Sequence, residues 1–338
     1  MSERGDIFET GDIFRDRKLV RVGHVPDIDR VVGRDGEIEA MGSALAPAIR
    51  GGPPETTIIY GKTGTGKSLV TRCVTREAKQ RAEENGYRFA HSYVDCSDYG
   101  TETQASRQMA RGLRDSLGDV AKEQSIPRKG IGAADYRDIT WELLQKERVD
   151  AFVVILDEID KLDGDALLRS LSRARESGKA DAFIGAVCIS NKIAYRERLS
   201  ERVDSSLQDN ELVFDPYDAT QLEAILNRRR DAFAEDVLSD GVISKTAALA
   251  AREHGDARKA IDMLYEAGRL AEKERADQVT VKHVDVALKR AEINRFQKLV
   301  SGQTAHVKHI LRALALLTEQ RDGEKFRTAE VYDTYEKV

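Results

Sequence analysis

Long apolar runs are missing from this chain. Nothing in it approaches the roughly 20-residue stretch needed to cross a bilayer, and Met1-Ser2-Glu3-Arg4-Gly5-Asp6 carries none of the hydrophobic core of a secretory signal. The expectation is a cytoplasmic protein with no membrane partner. Cysteine is scarce, and Cys73, Cys96 and Cys188 lie far apart inside apolar patterns, which predicts small buried hydrophobes rather than disulfides or metal ligands. Positive charge is not in excess. A formal net charge of -5 gives no bulk attraction to nucleic acid, so any DNA contact has to come from local basic patches. No internal repeat or low-complexity tract is evident. What remains, 338 residues of which 41% are hydrophobic, supports two or three packed units.

The segment Gly61-Lys62-Thr63-Gly64-Thr65-Gly66-Lys67-Ser68 reads G-x-x-x-x-G-K-S and follows the β-branched run Thr56-Thr57-Ile58-Ile59-Tyr60. Strand, loop and helix then come in the order a phosphate-binding loop requires, and the plain alternative is a glycine-rich turn. The glycines let several backbone N–H groups converge on one anion, and the helix opening near Lys67 adds its positive dipole end. Lys67 would reach the β- and γ-phosphates, and the Ser68 hydroxyl would ligate Mg²⁺. ATP or ADP with Mg²⁺ is the expected ligand.

Further strands are predicted at 88–95, 151–157, 183–191 and 211–214, with helices between them at 37–49, 67–85 and 101–117. The run Ala151 to Asp157 is continuously apolar, as in a central parallel strand covered on both faces. Strands alternating with helices predict an α/β parallel sheet. After Pro216 only helical patterns follow, at 219–233, 244–254, 257–276 and 280–300, the first opened by a capping box of Asp218 and Gln221. The expected organisation is a polar tail at 1–20, a nucleotide-binding domain at 21–216, a helical lid at 217–302 and a further element at 303–338.

The buried strand ends in Asp157-Glu158. Asp157 there would orient Mg²⁺ through its water shell, and Glu158 would polarise the attacking water. A solvated turn at a strand end is the alternative.

With these residues in place the chain resembles the archaeal origin-recognition initiators. These are AAA+ proteins related to the largest subunit of the eukaryotic origin recognition complex and to its cell-division-cycle helicase-loading partner. The resemblance runs over residues 20–338 and rests on GKTGTGKS, VVILDEID, CISN, SSLQDNELVFDPYDATQLEAIL and AAREHGDARKAIDML. It implies an AAA+ P-loop parallel sheet with helices on both faces, a helical lid and a winged-helix domain. Asn191 matches the polar sensor that contacts the γ-phosphate or the attacking water, with a strand-end cap as the alternative. Arg258 matches the sensor arginine reaching from the lid, although an arginine in a first helical turn is often a surface residue. Tyr217 and Arg229 match positions lining the nucleotide site, Tyr217 otherwise reading as hinge packing. Val25, with Pro26, and Arg34 match the adenine-binding wall. Arg202 matches the arginine finger offered to a neighbouring protomer, with Arg198 as competitor and a surface ion pair as the alternative. The helix at 101–117 resembles the initiator-specific insertion, and Arg107, Arg111 and Arg114 share one of its faces. That face is either a DNA-positioning patch or simply a solvated surface.

The resemblance further implies a replication initiator that binds double-stranded origin DNA, assembles as a homo- or hetero-oligomer and recruits the replicative helicase, with slow ATP hydrolysis as the switch. A clamp-loader or motor-type ATPase and a regulatory paralogue are the alternatives. Residues 306–317 and 328–335 look like the first two helices of the winged helix, whose recognition helix and wing come later in that fold and are expected either beyond Val338 in a longer chain or lost in this paralogue. The expectation for this polypeptide is therefore weak origin binding with little sequence discrimination, and a terminal segment whose apolar face, Leu311, Leu314 and Leu317, is left partly exposed.

Overall fold

The computed structural model describes residues 13–21, 23–198, 210–320 and 325–338. Five parallel strands form one sheet: β1 (Thr57–Gly61), β2 (Phe89–Asp95), β3 (Ala151–Asp157), β4 (Phe183–Ser190) and β5 (Glu211–Phe214), in the order β2-β3-β4-β1-β5. Each was expected within a residue or two. β3 is buried along its whole length, and its alternation divides the core between the two faces of the sheet. Phe152, Val154 and Leu156 pack with Met109, Leu113, Trp141 and Leu144 on one side. Val153 and Ile155 pack with Met41, Val70 and Val74 on the other.

The first face is covered by α3 (Glu102–Leu117), α4 (Ala133–Lys146) and α5 (Ala166–Arg173), the second by α1 (Asp35–Leu45) and α2 (Lys67–Glu84). Neither α4 nor α5 was anticipated. The buried residues of α4, Tyr136, Thr140, Trp141, Leu143 and Leu144, do follow a helical period, but polar side chains interrupt them. Cys73, Cys96 and Cys188 are buried and free, in keeping with their apolar surroundings.

The chain divides into two compact units. One comprises Phe14–Glu235 and Ile243–Leu264, and the other Met1–Ile13, Asp236–Val242 and Tyr265–Val338. The first holds the sheet together with α6 (Ala219–Asn227), most of α7 (Val242–Arg252) and the start of α8 (Ala257–Glu274). The capping box of α6 is present: Gln221 N donates to Asp218 Oδ1 at 2.7 Å, and Asp218 N donates to Gln221 Oε1 at 3.1 Å. α6 stops at Asn227 rather than at 233. A short 3₁₀ turn, Arg230–Ala232, follows, and the Ala232 carbonyl accepts from Arg15 N and Asp16 N at 2.9 and 3.0 Å.

The second unit contains the rest of α8, then α9 (Val281–Ser301), α10 (Ala305–Gln320) and α11 (Thr328–Tyr335). His283 caps α9 by accepting from Thr280 N at 2.9 Å through Nδ1. α10 and α11 pack on one another, with His306 Nδ1 and the Tyr335 hydroxyl 2.6 Å apart. The stripe expected to be partly exposed is so at Leu311 and Leu314, which are half-buried, whereas Leu317 is buried; the exposed apolar side chains nearby are Val307, Ile310 and Tyr332. No helix among the described residues is long and apolar enough to cross a membrane.

On β2, His91 sits where three elements meet. Its backbone N–H donates to Ser116 Oγ at 3.1 Å, the same hydroxyl lies 3.2 Å from the ring Nδ1, and Lys79 of α2 donates to the Ser116 carbonyl. Burial, aided by Lys79 and Arg72, lowers its pKa to about 4. The unfolded chain therefore takes up the proton first as pH falls from about 6.5. The stability contributed by keeping this ring neutral is complete above that pH and declines toward pH 4, by on the order of 3 kcal/mol. Urea denaturation across this range should show that slope, and His91→Gln should flatten it; an unchanged slope in the variant contradicts the assignment.

Candidate nucleotide site

All five strands point their carboxyl ends at one edge of the sheet, where open α/β folds bind ligands. The loop after β1 wraps back on itself, and Lys67 closes the turn. Its ammonium donates to the carbonyls of Gly61 and Lys62, both at 2.7 Å, and to Asn191 Oδ1 at 3.0 Å. Thr65 Oγ1 adds a bond to the Lys62 carbonyl at 2.9 Å. Lys67 is only 6% exposed, and burial lowers its pKa to about 8 despite the opposing pull of Asp157. An anion placed beside it favours the ammonium form, so phosphate binding and protonation reinforce each other.

β3 delivers Asp157 and Glu158 to the same edge. Asp157 is buried; its Oδ1 accepts from Glu158 N at 2.9 Å and its Oδ2 from the Tyr93 hydroxyl at 2.7 Å. Glu158 adopts a left-handed backbone, φ 51°, which a side-chain-bearing residue enters at a cost and which turns its carboxylate away from the line of the strand. Asn191, just past β4, donates to Glu158 Oε1 at 3.4 Å, so one amide touches both the loop lysine and the second carboxylate.

These residues line one cavity of about 350 Å³. Thr63, Gly64, Gly66, Lys67 and Ser68 of the loop line it together with Asp157, Glu158 and Asn191. Val25 and Tyr217, with Leu19, Ile225 and Ile261, add an apolar part to its lining. Arg258 reaches it from the first turn of α8, where Asp256 Oδ1 accepts from Arg258 N at 2.8 Å. That turn also sits on the loop, since Ala257 N donates to the Gly64 carbonyl at 3.1 Å. Arg229 lines the cavity too, and its guanidinium donates to the Leu19 carbonyl, joining the turn after α6 to the amino-terminal segment.

Four expected residues stand elsewhere. Gly61, Lys62 and Thr65 shape the loop from outside the cavity wall, through the bonds to Lys67 and Thr65 described above. Arg34, expected in the adenine wall, lies behind the loop with its guanidinium committed to protein groups. Of the α3 arginines, Arg107 is half-buried and donates to the Arg128 carbonyl at 2.8 Å, Arg114 pairs with Asp115 at 2.8 Å, and Arg111 is exposed. Arg202 lies outside the described residues.

Sequence reasoning missed Tyr93, Arg72, His24 and Arg228, all of which line the cavity. Tyr93 was within reach of a register argument. Parallel pairing sets Asp95 opposite Asp157, and Tyr93, two residues back, shares the Asp95 face. Its ring lies 4.8 Å from the Arg72 guanidinium carbon.

A phosphate-type loop after β1, acidic residues ending β3, an asparagine after β4 that bonds both and an arginine from the following helices are the arrangement of an AAA+ ATPase. Comparison agrees: residues 30–184 match the family described as AAA ATPase domain, and 223–289 match the Cdc6 AAA+ ATPase-type lid domain. The chain is 44% identical over 330 residues to ORC1-type DNA replication protein 9 of Haloarcula marismortui, covering 97% of this chain and 78% of that one. It is 45% identical over 333 residues to ORC1-type DNA replication protein 4 of Halobacterium salinarum, covering 98% and 80%. The Orc1 protein of Aeropyrum pernix, solved in complex with DNA, superposes with a TM-score of 0.76 at 34% identity, covering 96% and 82%. The chain belongs to the ORC1-type DNA replication protein family.

The contact between lid and loop is tight at Gly64, whose φ is +81° and where an added Cβ would meet Asp256 Oδ1 at 1.8 Å. Gly64→Ala should cost about 2 kcal/mol from the left-handed backbone alone, and more from the collision. In an Asp256→Ala background the loss should shrink, as read by urea denaturation of the four-member cycle. An equal loss in both backgrounds contradicts the contact.

Proposed function

We propose that this chain is an ATP-dependent DNA replication initiator that binds ATP with Mg²⁺ in the cavity and uses slow hydrolysis as a switch. The observation that carries the reading is the convergence of Lys67, Asp157, Glu158, Asn191 and Arg258 on one cavity. Lys67 and the backbone of Gly64 and Gly66 hold the phosphates, and Val25 and Tyr217 bound the space for the base. Ser68 and Asp157 supply hard oxygen donors, the type Mg²⁺ takes when it is bound through few protein ligands plus substrate phosphates. No cluster of three or more His, Cys, Asp or Glu exists among the described residues, which fits an ion that arrives with its nucleotide. When bound, Mg²⁺ would neutralise charge developing on the phosphates.

Glu158 orients the attacking water, with Asn191 fixing its carboxylate, while Arg258 and Arg229 carry the state of the site into the lid helices. Arg202, contributed to a neighbouring protomer's γ-phosphate, would make turnover depend on assembly. The Aeropyrum pernix relative solved in complex with DNA supports DNA as the partner, and duplex origin DNA is the form assigned to it in this reading. Arg111 and Arg107 on α3 are the candidate phosphate contacts, Arg111 being the exposed one. Recruitment of the replicative helicase, oligomeric assembly on DNA and a cytoplasmic location complete the proposal, with the lid at 217–302 and the start of a winged helix at 303–338.

Lys67→Ala should abolish ATP and ADP binding, whereas Glu158→Gln should bind both as the parent does and lose at least a hundredfold in turnover. Nucleotide titration with phosphate release measures both. Normal hydrolysis by either variant contradicts the assignment.

A further inference from the structure

Arg34 is 3% exposed, yet it carries a full charge. A buried guanidinium is retained only when its donors are satisfied, and here each arm has a separate partner. Nε donates to the Thr65 carbonyl at 3.0 Å, one terminal nitrogen pairs with Glu37 Oε1 at 2.7 Å, and the other donates to the Asp215 carbonyl. Its face lies 4.0 Å from the centre of the Tyr217 ring and 5.4 Å from that of Phe214. One side chain thus touches the phosphate loop, α1, the end of β5 and the first residue beyond it.

We propose that Arg34 is a positioning residue for phosphate binding, setting the orientation of the Thr65–Gly66 peptide from behind the loop. This rests on the reading of residues 61–68 as a phosphate loop. A trans peptide sends its N–H opposite its C=O, so a carbonyl drawn toward Arg34 turns the Gly66 N–H to the other side, where Gly66 lines the cavity. Gly66 has a φ of +91°, a conformation that leaves the peptide free to rotate unless something holds it. Two contacts do. Arg34 grips the carbonyl, and the Tyr217 hydroxyl lies so close above Gly66 that a Cβ there would approach it to 2.5 Å.

The same clamp connects the loop to the lid. Tyr217, stacked on Arg34, donates its backbone N–H to the Gly255 carbonyl at 3.1 Å, and Gly255 directly precedes the turn that carries Arg258. A shift of the 65–66 peptide on phosphate binding is therefore transmitted through Arg34 and Tyr217 to that turn. Lysine cannot substitute, because a single ammonium has neither the planar fork nor the stacking face that these partners use together.

The test separates a phosphate role from a base role. A fluorescent ADP analogue is displaced by ADP, by inorganic tripolyphosphate and by adenosine, each with Mg²⁺, in the parent chain and in Arg34→Lys. Loss of one charge-assisted hydrogen bond corresponds to about a tenfold or greater change. ADP and tripolyphosphate should both weaken by that factor and adenosine should not. Unchanged tripolyphosphate affinity, with or without a loss for adenosine, overturns the proposal and returns Arg34 to the base wall or to bulk packing. If Arg34→Lys does not fold, Glu37→Gln removes only the ion pair that fixes the fork, and a smaller loss in the same pattern is expected. Lys67→Ala in the same assay is the control for the underlying reading: if it binds ADP and tripolyphosphate as the parent does, the phosphate loop itself is misassigned, whatever Arg34 does.

Discussion

The Lys67 ammonium, buried and bound by two carbonyls of its own loop, is the interaction around which the site is organised. A buried cation is costly unless its donors are met, and here the loop must bend back to meet them. That bend requires glycines at positive φ, Gly61, Gly64 and Gly66. It also requires a strand before the loop and a helix after it, so the P-loop's shape follows from β1 and α2 as much as from its sequence. The third donor, to Asn191, ties β4 to β1 at the same edge.

From that point the site is built by short links between neighbouring strand ends. Asn191 reaches Glu158, the Asp157 carboxylate is held by Tyr93, and Ala257, in the turn that carries Arg258, rests on Gly64. Each link joins groups from different elements. The left-handed backbone of Glu158 stores strain in this arrangement, at the residue proposed to orient the attacking water. A site wired this way has a mechanical consequence, because a ligand that moves the loop moves the lid turn with it.

Much of this was legible in the amino-acid sequence. The strands were visible because a parallel sheet buried on both faces needs continuous apolar runs, and Ala151–Asp157 is one. Lys67, at the start of α2, and Asp157, at the end of β3, stood out through motif spacing, whereas Asn191, just past β4, was singled out only by the family resemblance. Tyr93 and Arg34 show where reading failed. Tyr93 looked like ordinary strand aromatic content, and only inter-strand register reveals that it meets Asp157. Arg34 was expected against the base; its pairing with Glu37 is a local i,i+3 contact, but Thr65 and Asp215 come from distant segments and no local pattern predicts that meeting. α4 was missed because its apolar positions are interrupted by polar side chains, one of which, Thr140, is buried by bonding back to the Tyr136 carbonyl.

The central claim is that nucleotide binds where the loop, the acidic strand end and the lid turn converge, and that the three respond as one. Amide hydrogen exchange on the whole chain, with and without Mg²⁺-ATP, tests it most directly. The account predicts that protection rises together in residues 61–68, at 157–158 and at 255–261, including the Ala257 amide that bonds Gly64. Saturating ATP that leaves the lid turn unchanged while protecting the loop, or that protects neither, would contradict it.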